Sequence, residues 1–168
     1  MGRRTVLVFG AAVMAGGLAL LTGCATSEPV NATLPSLYWP MTTQSAQVDT
    51  ATARDMISAY RARNGAGPLR LDPDLQKLAE AEAASMAAAD RPSRAQTVKN
   101  AVERLGFESA EANLSAGYHT LAEAFSGWRD SPAHNAAMLA PGVQRMGIAT
   151  AYAPGSKYKV YWALLLAQ

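Results

Sequence analysis

The stretch EANLSAGYHTLAEAFSGWRDSPAHNAAML, residues 111–139, decides the fold of this chain. It contains both histidines, His119 and His134, and one of the three tryptophans. The pattern predicts a strand end, a tight loop, an amphipathic helix capped by Thr120, and a short helical segment opened by Ser131-Pro132. The apolar residues of the helix follow the i, i+3, i+4, i+7 spacing of one buried face. The segments on either side are expected to form the layers that hold this stretch.

Three helices and a strand are predicted before it. A capping box at Thr52-x-x-Asp55 opens the first helix, and a second box at Ser93-x-x-Gln96 opens the third. Asp72-Pro73 starts the second helix, because it combines an N-cap with a proline at the first helical position. A short strand from Phe107 to about Leu114 follows.

A hairpin is predicted at the end of the chain. Residues 146–152 and 157–167 have strand patterns, and Ala153-Pro154-Gly155-Ser156 fits a type II turn. The second strand becomes apolar on both faces at residues 162–166, which requires helices above and below the sheet. The order of elements therefore predicts an α+β fold, a three-layer α-β-α sandwich with a small antiparallel sheet.

The N-terminus has the features of an export signal. A basic start with Arg3 and Arg4 precedes an apolar run from Val6 to Leu21. The run is shorter than the ~20 apolar residues of a membrane span. It ends in Leu21-Thr22-Gly23-Cys24, which resembles the bacterial lipobox and implies that Cys24 is the lipidated first residue of a lipoprotein. The alternative is an ordinary signal or an N-terminal anchor, with Cys24 incidental.

These features divide the chain into a signal peptide (1–23), a lipidated tether rich in Thr, Ser and Pro (24–48) and a domain (49–168). Residues 37–39 of the tether are apolar enough to dock on the domain, and docking and a mobile linker both remain open. Ala25 carries no acidic retention signal, so resemblance to other lipoproteins implies the outer membrane, facing the periplasm. Cys24 is the single cysteine, so the domain has no internal disulfide.

Charge excludes one class of function. The net charge of +2 comes from Arg3 and Arg4, and without them thirteen basic residues stand beside thirteen acidic ones. A domain with no net charge and no basic run is a poor candidate for nucleic-acid binding. We therefore expect the lipid on Cys24 to provide membrane association.

Several spaced motifs resemble one known family. The first are Arg61-Ala62-Arg63-Asn64-Gly65 and Asn113-Leu114-Ser115-Ala116-Gly117-Tyr118. Trp128-x-x-Ser131-Pro132-x-His134, Gly147-Ile148-Ala149 and Tyr161-Trp162 continue the match in order. Together they resemble the CAP superfamily, the cysteine-rich secretory, antigen-five and pathogenesis-related proteins with their bacterial relatives. The resemblance implies an α-β-α sandwich.

Many members of that family hold a divalent metal with two histidines and two glutamates. By resemblance, the second histidine corresponds to His134. The other three positions hold Arg94, Ala112 and Ser131. Arg94 is always charged and cannot ligate a metal. Glu111 lies one residue before Ala112, and one step along a strand turns a side chain to the other face. We therefore expect no metal site and no cofactor.

The resemblance favours a lipid-anchored envelope protein with a non-catalytic CAP-like domain. By resemblance to relatives that bind sterols or fatty acids, its ligand is a lipid or apolar molecule; another envelope component is the other candidate. The expected ligand cleft contains Arg94, Glu111, Asn113, Ser131 and His134. Two alternatives remain: a hydrolase using His134, and a structural or interaction module of the envelope.

Overall fold

The computed structural model describes Gly2 and residues 34–168, and residues 34–168 belong to one compact unit. The predicted lipidation site Cys24, the first part of the tether and the signal peptide apart from Gly2 lie outside the described residues. No helix in the described part of the chain is long and apolar enough to cross a membrane.

The described residues form five helices and four strands. The elements are α1 (Thr50–Arg63), β1 (Arg70–Leu71), α2 (Pro73–Ala89), α3 (Ala95–Arg104), β2 (Glu111–Ala116), α4 (Leu121–Asp130), α5 (Pro132–Met138), β3 (Arg145–Tyr152) and β4 (Val160–Ala167). A 3₁₀ turn at Ser36–Tyr38 precedes them.

The four strands form one sheet in the order β1-β3-β4-β2. β4 runs antiparallel to both β3 and β2, and its pairing with β3 is the predicted hairpin. The two-residue strand β1 pairs with β3 in parallel, which the sequence pattern did not indicate. The sheet is therefore small and mixed, with its three long strands antiparallel.

The central strand β4 shows why the fold has three layers. All eight of its residues are buried, because helices cover both faces of the sheet. Trp162 and Leu164 pack on one face in a core with α1 and α4. Tyr161 and Leu165 pack on the other face in a core with α2 and α3. The predicted α-β-α sandwich is thus confirmed.

Two helix starts agree with the predicted caps. The Asp72 carboxylate accepts the backbone N–H groups of Asp74 (3.0 Å) and Leu75 (3.1 Å) at the start of α2. The Thr120 hydroxyl accepts the N–H of Glu123 (3.2 Å) at the start of α4. Each cap satisfies N–H groups that the first helical turn leaves without a partner.

The other two predicted capping boxes are wrong. Helix α1 begins two residues before Thr52, and the N-cap Asp49 accepts the Thr52 N–H instead. Helix α3 has Arg94 as its N-cap and no side-chain cap bond, so the box opened by Ser93 does not form. Asp49 is favoured as the N-cap of α1 because its carboxylate also accepts hydrogen bonds from the hydroxyl groups of Ser36 and Thr52.

Two boundaries in the sheet also differ from the prediction. β2 begins at Glu111 and not at Phe107, because the backbone of Ser109 has a positive φ of 51° that interrupts an extended chain. In the hairpin, the Ser156 N–H bonds to the Ala153 carbonyl (3.0 Å), so a turn forms at the predicted place. It is not type II: a type II turn needs positive φ at Gly155, and the loop places its positive φ at Lys159 (64°).

Residues 34–48, named here the N-terminal strap, are packed on the domain. Met41 is only 2% exposed, and its N–H donates to the His119 carbonyl (2.8 Å). The Ser36 hydroxyl donates to Asp49 (2.7 Å) at the start of α1. For these residues, the structure selects docking over a mobile linker.

Candidate functional site

A cleft of about 380 Å³ lies between α3 and α5, along the outer edge of β2. β2 is the last strand of the sheet, and α3 and α5 both pack on it, one on each side of the cleft. The lining residues are mostly small or polar: Ser93, Ala95, Gln96, Lys99, Glu111, Ala112, Leu114, Ala133, His134 and Ala137. The alanines leave room between the two helices, and the polar groups are at its rim and floor.

The floor of the cleft carries backbone groups that point away from the sheet. Gly117 lies opposite Val160, and its N–H bonds to the Val160 carbonyl (2.9 Å). Along an antiparallel ladder, opposed pairs that exchange hydrogen bonds alternate with pairs whose N–H and C=O groups point away from the partner strand. The N–H and C=O groups of Ala112 and Leu114 therefore face outward. No hydrogen bond joins these groups to another of the described residues.

The opposite edge of the sheet is capped by side chains. The Gln76 amide accepts the N–H of Ile148 (3.0 Å) and donates to its C=O (3.0 Å), as a neighbouring strand would. Gln44 donates to the carbonyl of Tyr152 (3.2 Å). Proteins commonly protect edge strands in such ways. Side chains thus pair outward groups at two positions of this edge, whereas no side chain of the described residues pairs those of Ala112 and Leu114 at the β2 edge.

His134 contributes one ring nitrogen to the cleft wall. Its Nδ1 is buried and has no hydrogen-bond partner among the described residues, so the ring presents Nε2 to the cleft. Burial lowers the pKa of His134 below its ordinary value of 6.5. Burial therefore favours the neutral form of the imidazole. Its backbone carbonyl accepts the side-chain N–H of Asn113 (3.0 Å), which joins α5 to β2.

Glu111 forms an ion pair that the sequence analysis missed. The Lys99 ammonium lies 3.1 Å from both Glu111 carboxylate oxygens. The side chains are mostly buried, with 25% of Lys99 and 30% of Glu111 exposed. Arg94, which the resemblance places in the same cleft, is exposed at the N-terminus of α3.

The five residues expected in the cleft are thus divided by the structure. His134 and Glu111 line it, while Asn113 is buried behind the wall that His134 forms. Ser131 is half-buried at the junction of α4 and α5, and its side chain makes no capping bond. Arg94 and Ser131 are beside the lining residues and are not among them.

The donor set of this cleft does not suit a divalent metal. Among residues 34–168, no group of three or more His, Cys, Asp or Glu side chains lies close enough to hold an ion. Imidazole and carboxylate groups must converge on one point to bind zinc. Here Lys99 already neutralises the carboxylate of Glu111.

The fold and this cleft together define an α+β sandwich domain with a ligand-sized opening at one sheet edge. The chain belongs to the CAP family, the cysteine-rich secretory protein family, whose family model matches residues 54–166. No curated protein matches the sequence at a significant level.

Solved bacterial structures share the fold. An extracellular protein containing an SCP domain from Bacillus anthracis aligns with a TM-score of 0.58 at 17% identity, covering 70% of this chain and 39% of that one. A cysteine-rich secretory protein from Staphylococcus aureus gives 0.55 at 14% identity, covering 70% and 37%. An outer surface protein from Borrelia burgdorferi gives 0.58 at 17% identity, covering 73% and 96%. The chain thus spans less than half the length of the first two.

Proposed function

We propose that this protein is an exported, lipid-anchored component of the bacterial cell envelope whose CAP domain binds a ligand and does not catalyse a reaction. The cleft along β2 carries this proposal, because its floor offers free backbone groups at Ala112 and Leu114 beneath walls of small apolar residues. Buried polar groups need a partner from water or from a ligand. An amphipathic molecule satisfies both parts of such a cleft.

Two ligand classes fit this description. A lipid or other apolar molecule would place its hydrocarbon against Ala133 and Ala137 and its polar group near Lys99 or His134. A segment of another envelope component would pair its backbone with the free edge of β2. Two proteins that share the fold, an extracellular protein of Bacillus anthracis and an outer surface protein of Borrelia burgdorferi, support export as the setting.

A catalytic role for His134 lacks the supporting geometry. A general base needs a hydrogen bond to the nucleophile it activates and a partner that orients it. The His134 ring has no hydrogen-bond partner among the described residues, and the carboxylate of Glu111 is bound by Lys99. The neutral imidazole is better suited to donate or accept one hydrogen bond at a ligand.

The cleft is tested by filling it. Ala133 and Ala136 are both exposed on α5, but only Ala133 lines the cleft. Protein purified from its own membranes is analysed by mass spectrometry for lipid and peptide beyond the acyl chains on Cys24. We expect a co-purifying ligand that Ala133→Trp removes and Ala136→Trp retains. Equal amounts in both variants, or none in the wild type, would contradict the proposal.

Calorimetry with Zn²⁺ separates this proposal from a metal site. No binding in the micromolar range is expected for the wild type. The Arg94→His, Ala112→Glu double variant should gain binding, because it restores the ligand types of the family at two positions. Tight wild-type binding that His134→Ala abolishes would show that the cleft holds a metal.

A further inference from the structure

Three large hydrophobic side chains are exposed together on the N-terminal strap. Leu34, Tyr38 and Trp39 are 61%, 52% and 42% exposed. The other exposed large hydrophobic residues of the described chain, Leu71 and Leu105, lie far apart in the sequence. Clustered apolar exposure of this kind marks an interaction surface more often than scattered exposure does. We call these three residues the aromatic surface.

The aromatic surface is held in place by bonds on both of its sides. The Trp39 indole N–H donates to the Leu34 carbonyl (2.8 Å), which closes the turn on itself. The Ser36 hydroxyl ties it to Asp49, and Met41 ties it to the domain core. Leu37 and Met41 point inward and pack on the core. The outward position of Tyr38 and Trp39 is therefore fixed by the fold and is not the result of a loose end.

The chain around this surface carries no charge. Residues 29–48 contain no Asp, Glu, Lys or Arg. An uncharged segment with exposed Trp and Tyr suits the interface between lipid headgroups and acyl chains, where these two residue types are enriched. A surface for an ionic partner would carry charged residues at its rim.

The distance to Cys24 places a membrane within reach of this surface. Cys24 is ten residues before Leu34. A chain of that length spans at most roughly 33–36 Å when extended, and roughly 16–19 Å on average as a flexible coil. A bilayer that holds a lipid on Cys24 therefore lies within roughly 36 Å of the aromatic surface.

We propose that the aromatic surface lies in the headgroup region of the membrane and fixes the orientation of the domain on it. This inference rests on the proposed lipid anchor at Cys24. A second contact beside the anchor turns a domain that would tumble on a tether into one with a fixed face toward the bilayer. The aromatic surface is on the strap, so the cleft at the β2 edge keeps a constant direction relative to the membrane.

Tryptophan fluorescence tests this directly, because Trp128 and Trp162 are fully buried and Trp39 is exposed. Lipoprotein purified from membranes is placed in phosphatidylethanolamine–phosphatidylglycerol vesicles, with and without lipids brominated near the headgroup. Subtracting the signal of a Trp39→Phe variant isolates Trp39. We expect a blue shift of its emission on vesicles, quenching by the brominated lipid and protection from aqueous iodide.

Full accessibility of Trp39 to iodide on vesicles, without quenching by brominated lipid, would overturn the inference and leave the anchor intact. Mass spectrometry of the same preparation tests the anchor separately. If Cys24 carries no lipid, the proposed anchor is wrong. The purified chain is then coupled through Cys24, its single cysteine, to a maleimide lipid, and the same quenching decides the aromatic surface.

Discussion

Arg61 is the best place to test how this fold is held together. Its side chain is only 1% exposed, and no carboxylate of the described residues pairs with it. The guanidinium instead donates to four backbone carbonyls, those of Gly67 (2.7 Å), Met138 (2.6 Å), Ala140 (3.2 Å) and Val143 (3.0 Å). One side chain of α1 thus fixes the loop after α1 and the segment between α5 and β3.

The size of its contribution follows from what its removal leaves behind. The bonds to Met138 and Val143 are buried, whereas the other two carbonyls can reach water. An unpaired buried carbonyl costs about 1–3 kcal/mol, so Arg61→Met should lose about 2–6 kcal/mol from these two groups. Burial of the guanidinium is itself unfavourable, and it lowers the pKa of Arg61. The methionine variant avoids this cost, which offsets part of the loss. We expect a net loss of about 3 kcal/mol.

Urea and thermal unfolding measure this loss, with Arg63→Met as the matched control. Arg63 is on the same helix but is exposed, so its removal should change stability by less than about 0.5 kcal/mol. A loss of about 3 kcal/mol lowers the melting temperature by roughly 9–15 °C for a domain of this size. Equal stabilities for the two variants would refute the reasoning.

Three further predictions concern packing and pH. A Cβ added at Gly147 would lie 2.3 Å from the backbone of Leu75, so Gly147→Ala should lose at least about 1–3 kcal/mol in urea unfolding, while Gly155→Ala, which has open space, should not. Hydrogen bonds from Thr52 and Ser36 lower the pKa of Asp49 to about 2, so its stabilisation is complete above pH 3.8 and is lost as the pH falls through about 2. After allowance for screening this amounts to about 1–2 kcal/mol, and acid unfolding of Asp49→Ala should lack that loss. Burial lowers the pKa of His134, so stability should fall as the pH drops through 6.5 and below; NMR titration should place this pKa below 6.5, and the fall should be absent in His134→Gln.

Much of the fold could be predicted because its signals are local. The all-apolar strand β4 indicated a sheet covered on both faces, and all eight of its residues are buried. The caps at Asp72 and Thr120 formed as predicted, because an N-cap depends on residues two or three positions away. The capping box at Thr52 failed because Asp49 gains a second partner, Ser36, from the docked strap.

The candidate site could be predicted only in part. Resemblance placed His134 and Glu111 in the cleft, but the sequence did not reveal that Lys99 neutralises Glu111. That pair joins α3 to β2 across twelve positions, and no periodic pattern encodes which lysine of a helix meets a given strand residue. Arg94, the other cation expected in the cleft, is exposed at the start of the helix.

The sequence alone determined the class of fold, the family resemblance and the order of elements, because periodicity and capping act over a few residues. Which backbone groups at the sheet edges find a partner followed from the tertiary structure. Gln76 caps Ile148 from 72 positions away, while Ala112 and Leu114 keep their outward groups free between α3 and α5. Such pairings depend on which segments meet in space, and that is settled by the packing of both helical layers on β4.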